Sequence, residues 1–246
     1  CYHLNITKEN LERVMDLESD RFQNLFYEKP EFQTEAGAVY GEYRKGKASP
    51  YFWIWEKLCE TAFEKHTYKH TTIGFEKDIQ AMPQMYEYSL SFFKRYYRPE
   101  NCVLLIVGDI EYEPTLNMVR KYYSSWSKGY VSPNIPEEPE QKTEKRANVK
   151  YPGKTLPLLA LAYKGSSFEP TDKRVVATYL LGELAFGSNS ELYKKLYLHE
   201  QKVQLLEPEF NFNRDPFLWI VWAQIKNEND VKYVESEILN TIEFFQ

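Results

Sequence analysis

Between Lys128 and Lys150 the chain loses every apolar period: three prolines and the run EEPEQKTEKR interrupt it. No strand or helix of a packed domain is built from such a stretch, so it acts as a connector. A chain of 246 residues with 43% hydrophobic content can bury one large core or two modest ones. With a connector in the middle, two is the reading that fits. The expectation is residues 1–135 as a first domain, 136–149 as linker and 150–246 as a second domain, with the linker mostly at the surface.

Periodicity on either side gives a similar grammar. Thr7 stands as N-cap before a helix to about Tyr27, with Leu11, Val14, Met15, Phe22, Leu25 and Phe26 on one stripe. Pro50 marks the first turn of a helix through WIWEKLCETAF, and Pro83 that of MYEYSLSFFKRYY. CVLLIVGDI, from Cys102 to Ile110, reads as a buried strand, and a helix follows from Pro114 to about Trp126. After the connector, LPLLALAYKG reads as a strand in a separate sheet, TDKRVVATYLLGELAF as a helix capped by Thr171, and GSNSELYKKLYLHE as a loop opening a helix at Ser190. FLWIVWAQIK is a strand and DVKYVESEILNTIEFF a closing helix. The fold class is α+β, two successive units of antiparallel-rich sheet with helices.

Charge and composition exclude several classes. Net charge is −5, the pI is about 5.6, and there is no long basic run, so nucleic acid is not an expected partner. The longest apolar runs are strand-sized, too short to span a membrane. Cys1, Cys59 and Cys102 have unrelated spacings and no C-x-x-C pair, so neither a disulfide framework nor a thiolate metal site is expected. The start, CYHLNITKEN, lacks a charged segment followed by an apolar one and reads as a strand in the middle of a protein. The chain is expected to be soluble, with its compartment, periplasm or cytoplasm, left open.

The chemically suggestive segment is TEAGAVYGEYRKG, residues 34–46. Glu35 and Glu42 stand seven apart and share a helix face around Ala38 and Val39, beside a core or a cleft. Gly37 and Gly41 each cost such a helix about 1 kcal/mol relative to alanine, and close packing on the other face is the expected reason. The two acids are either solvated charges or metal ligands, since a carboxylate on a rigid helix is a normal third ligand for zinc when two histidines come from elsewhere. HTYKH, His66 to His70, has the i, i+4 spacing of a metal pair. Lys69 beside it, the absence of an intervening acid and the flanking Thr67, Thr71, Thr72 and Gly74 make it a loop instead. His3 and His199 are isolated, and no nucleophile–histidine arrangement can be assembled.

The order LERVMDLESDRF, FQTEAGAVYGEY, FEKHTYKHTTIGFEKDI, FFKRYYRPENCVLLIVGDI and GSNSELYKKL resembles the pitrilysin/insulinase family of zinc metallopeptidases, the inverzincins, over nearly the whole chain. The resemblance implies sandwich units of the pitrilysin and mitochondrial-processing-peptidase type, the first shortened at its N-terminus and the second possibly at its C-terminus. It implies zinc as cofactor, with Glu42 as a metal ligand and Glu35 as a supporting catalytic acid beside the metal shell. It also implies a peptide or unfolded polypeptide as substrate. The H-x-x-E-H helix that supplies two zinc histidines and the general base occurs nowhere in the chain. What is expected is a part of a zinc endopeptidase, inactive alone, whose partners are a missing N-terminal segment and possibly a paired homologous half. The alternatives are a non-catalytic subunit of the same family and an unrelated peptide-binding α+β module.

Overall fold

The computed structural model describes residues 1–245. In chain order the helices are α1 (Leu11–Asn24), α2 (Lys29–Gly46), α3 (Pro50–Ala62), α4 (Glu76–Ala81), α5 (Tyr86–Tyr96) and α6 (Tyr112–Tyr123). Strand β1 (Leu158–Lys164), α7 (Lys173–Phe186) and α8 (Glu191–Tyr193, continued by a π-helical turn to His199) come next, followed by β2 (Val203–Phe210), β3 (Leu218–Ile225) and α9 (Val231–Phe244). Two compact units result: residues 1–43 with 74–135, and residues 44–73 with 136–246. Residues 44–73, placed by sequence in the first domain, count with the second unit.

In the first unit, helices pack through aromatic rims around a few buried side chains. Met15, Ala36, Tyr43 and Ile79 are each 2–3% exposed. Phe22 of α1 meets the rings of Tyr2, Tyr97 and Trp126, and Tyr27, Phe32 and Tyr86 form a second cluster. Glu12 of α1 accepts hydrogen bonds from Lys121 and Tyr122 of α6. Thr7 does not cap α1; a 3-10 turn, Lys8–Asn10, precedes that helix.

The expected strand Cys102–Ile110 is a correction. Cys102–Val107 has no regular hydrogen-bonded partner, and Val103, Leu105 and Val107 are 80–89% exposed. A strand is defined by a neighbour, and the described residues of this unit offer none: all three strands belong to the second unit and pair with one another.

That second unit is built on an antiparallel sheet of order β1-β3-β2. β3 is central and buried on both faces, which is why LWIVWAQI is nearly all apolar instead of alternating. Val221, Ala223 and Ile225 face α7, α8 and α9 and pack with Leu196, Leu206, Val234 and Ile238. Leu218, Ile220 and Trp222 face the other way, against Cys59, Ala62 and Phe63 of α3 and its end. This second contact makes residues 44–73 part of the unit.

Local signals explain the helix starts. Ser190 accepts from the Tyr193 amide as expected of a cap. α7 is capped by Asp172, which accepts from the Arg174 amide, while Thr171 turns its hydroxyl to Glu169. A carboxylate is the stronger acceptor, and it displaces the expected cap by one residue. Gly182 of α7 lets the Phe210 ring of β2 approach closely: an added Cβ would lie 2.0 Å from that ring, which would have to shift.

Candidate functional site

α2 presents two heptad pairs, one residue out of phase. Ala36 and Tyr43 face inward, and the Tyr43 hydroxyl donates to Glu76 of α4 at 3.3 Å. Gln80 donates to the Tyr40 hydroxyl at 3.2 Å, and Gln33 donates to the Pro83 carbonyl. Glu35 and Glu42 lie about 100° further round the helix and are exposed. Neither meets a cation or a hydrogen-bond donor among the described residues. Their surroundings are small, since Gly37, Ala38 and Gly41 are exposed with them.

The expectation that close packing requires the two glycines is a correction, because a Cβ at Gly37 or Gly41 would meet nothing within 4 Å. The face is open. It is chemically able to donate one carboxylate to a borderline dication, but among the described residues no three His, Cys, Asp or Glu side chains converge. The residues present do not by themselves make a zinc site.

His66 and His70 are held in a loop. His66 is 6% exposed and precedes a 3-10 turn, Thr67–Lys69. Its Nδ1 accepts from the Tyr68 amide at 3.1 Å, so Nε2 carries the proton and faces the Asp215 carboxylate at 3.4 Å, a long electrostatic contact. His70 Nδ1 lies 2.8 Å from the Thr71 carbonyl.

The loop itself is pinned by Glu138. Its carboxylate accepts from the backbone amides of Glu64, Lys65 and His66 at 2.7–3.0 Å. Lys164 lies 3.7 Å away, over the Phe63 ring. Burial pushes the Glu138 pKa up, but the three amides and Lys164 outweigh it and hold the group below the ordinary carboxylate range. Burial likewise depresses Lys164.

A feature that sequence periodicity missed lies beside α3 in this unit. Tyr51, Phe52, Trp55 and Trp222, with Gly46 and Ser49, line an open cleft of about 430 Å³ that also contains Glu207 and Glu209 of β2. The Tyr51 and Trp55 rings lie 6.1 and 6.4 Å from that of Trp222. Trp222 Nε1 donates to Glu209 at 2.6 Å. The available signal was Glu207-Pro208-Glu209, whose period-2 spacing puts both acids on one strand face. Pro208 masked it by arguing against a strand, and it is tolerated because β2 is a sheet edge.

Comparison with known proteins bears on both units. Residues 86–246 match the family described as the peptidase M16 inactive domain. Over 223 residues the chain is 28% identical to the zinc protease PqqE of Helicobacter pylori, covering 86% of this chain and 47% of that protein. The crystal structure of a protease from Helicobacter pylori superposes with a TM-score of 0.85 at 25% identity, over 97% of this chain and 58% of that one. Pitrilysin shares the fold, with a TM-score of 0.72 at 12% identity over 97% of this chain and 26% of that one. The chain thus spans about half the length of the PqqE protein it matches. No helix among the described residues is long and apolar enough to cross a membrane. With more than half its length matching that domain, and with an α+β architecture shared with M16 proteases, the chain belongs to the peptidase M16, or pitrilysin/insulinase, family of zinc metallopeptidases.

Proposed function

We propose that the chain is part of a zinc-dependent endopeptidase acting on peptides or unfolded polypeptides. Glu42 serves as one metal ligand and Glu35 as a supporting acid. The remaining ligands and the general base come from residues outside this chain. The observation that carries this reading is the open face of α2. Two carboxylates lacking any cation or donor among the described residues stand beside Gly37, Ala38 and Gly41, which leave space for another element to approach closely.

A second reading has its own support. The match to an inactive domain covers residues 86–246 and fits a non-catalytic subunit. That match begins after α2, so the description does not extend to Glu35 or Glu42. Membership of the family disfavours an unrelated peptide-binding module.

The test is metal content and cleavage of a fluorogenic peptide, measured on the purified chain alone and on the intact protein. The chain alone is expected to retain no stoichiometric zinc after dialysis and to cleave nothing, and the intact protein to do both. Stoichiometric zinc in the chain alone would overturn the assignment of missing ligands. An intact protein with neither zinc nor activity would establish the non-catalytic reading.

A further inference from the structure

The cleft beside α3 has a chemical bias that the peptidase reading does not use. Its walls are four aromatic side chains, and its charged groups are both acidic. Glu209 is held by the Trp222 indole at 2.6 Å and by the Asn211 amide at 3.4 Å. Glu207, directly across the ladder from Trp222, is exposed and has neither a cation nor a donor among the described residues. Lys47, 5.8 Å from the Phe52 ring, is engaged by Glu56. Burial first, and then the Glu207 charge, raise the Tyr51 pKa, so the acid's field reaches the aromatic wall. An anion would be repelled here, and a neutral apolar group would cover Glu207 without satisfying it.

We propose that this cleft binds an arginine side chain of a polypeptide, with the guanidinium paired to Glu207 and its plane against the aromatic wall. Arginine fits better than lysine because the planar fork matches a carboxylate in two hydrogen bonds and stacks on rings, whereas an ammonium does only the first in part. A polypeptide fits better than a free amino acid because the cleft is open. It takes the end of a long side chain and leaves the main chain outside.

The site stands on geometry that needs no zinc, so it is tested in the full-length protein with EDTA present. A dye-labelled peptide, Gly-Gly-Arg-Gly-Gly, is titrated by fluorescence anisotropy beside the same peptide with citrulline, the uncharged isostere, in place of arginine. Saturable binding of the arginine peptide is expected, at least about tenfold tighter than the citrulline peptide. Glu207→Gln, an exposed change, should remove that difference while leaving the thermal unfolding midpoint unchanged. Tyr51→Ala should weaken the arginine peptide without restoring the citrulline one. The proposal is overturned if the arginine peptide fails to bind, if citrulline binds equally well, or if Glu207→Gln leaves the preference intact.

Discussion

Ala36 and Tyr43, seven residues apart on α2 and both 2% exposed, occupy the inward heptad line that neighbours the Glu35–Glu42 line. One residue of phase separates a buried pair from a solvent-facing pair. The helix is therefore anchored by Tyr43 to α4 and free on the side where its acids stand.

That freedom predicts opposite outcomes for glycine substitutions. Gly37→Ala and Gly41→Ala meet nothing within 4 Å, so each should stabilise the chain by up to about 1 kcal/mol through helix propensity. Gly182→Ala forces a Cβ into the Phe210 ring and should destabilise by about 1–3 kcal/mol. Chemical denaturation of the three variants reads both signs. Destabilisation by Gly37→Ala would show that the face is packed already.

How much could be read from residues alone follows physical lines. Pro50 at the first turn of α3 and Ser190 as a cap were legible because their chemistry is local. β3 was legible because a buried strand is a continuous apolar run, and β1, a half-buried edge strand, because LLALAY is a comparable short apolar run. The run from Cys102 to Val107 has the same composition, yet its exposure depends on whether a neighbour exists, which composition does not encode. β2 was missed because Glu207, Pro208 and Glu209 dilute its pattern. On α2 the shared face of Glu35 and Glu42 was legible, but its burial was not: period alone cannot say which of two adjacent heptad lines faces the core.

The unpaired segment predicts association. Val103, Leu105 and Val107 expose an apolar edge that pairs with no strand among the described residues, which invites strand pairing. The chain alone should self-associate in sedimentation velocity as concentration rises, and Leu105→Lys should reduce this without lowering helix content. A monomeric wild-type chain at high concentration would count against pairing through this segment.

Glu138 predicts an acid response. Its pKa is depressed in the folded protein, so its contribution is fully present above its ordinary value near 4.5 and is lost as pH falls below that through the folded value. Glu138→Ala should cost about 2–3 kcal/mol at neutral pH, because three amides lose a charged acceptor. The gap between variant and wild type should shrink below pH 4.5. Urea unfolding across pH tests it, and a gap that widens in acid would reverse the sign.

Cysteine reactivity should split by burial. Cys59 is 2% exposed, and burial, with a smaller contribution from Glu209, pushes its thiol up to about 12. Cys1 and Cys102 are exposed. At pH near 8 a thiol-exchange reagent should titrate Cys1 and Cys102 rapidly, and Cys59 only after denaturation, since thiolate and access are both needed. Rapid labelling of Cys59 in the folded chain would mean that α3 detaches from the sheet.

Under the proposed roles, the two acids of α2 should separate in the intact protein. With Glu42 as the proposed ligand, Glu42→Gln would put a neutral amide, a much poorer donor to zinc, in its place and should lower metal occupancy along with activity. Glu35→Gln leaves every ligand in place. It should keep zinc while turnover falls by about 10- to 100-fold, the usual consequence of removing a group that orients a ligand or the water beside it. Metal analysis and fluorogenic-peptide cleavage on the same preparations give both quantities. Loss of zinc from Glu35→Gln with retention in Glu42→Gln would exchange the two roles. No change in either variant would mean that the α2 carboxylates are solvated charges, as their exposure alone allows.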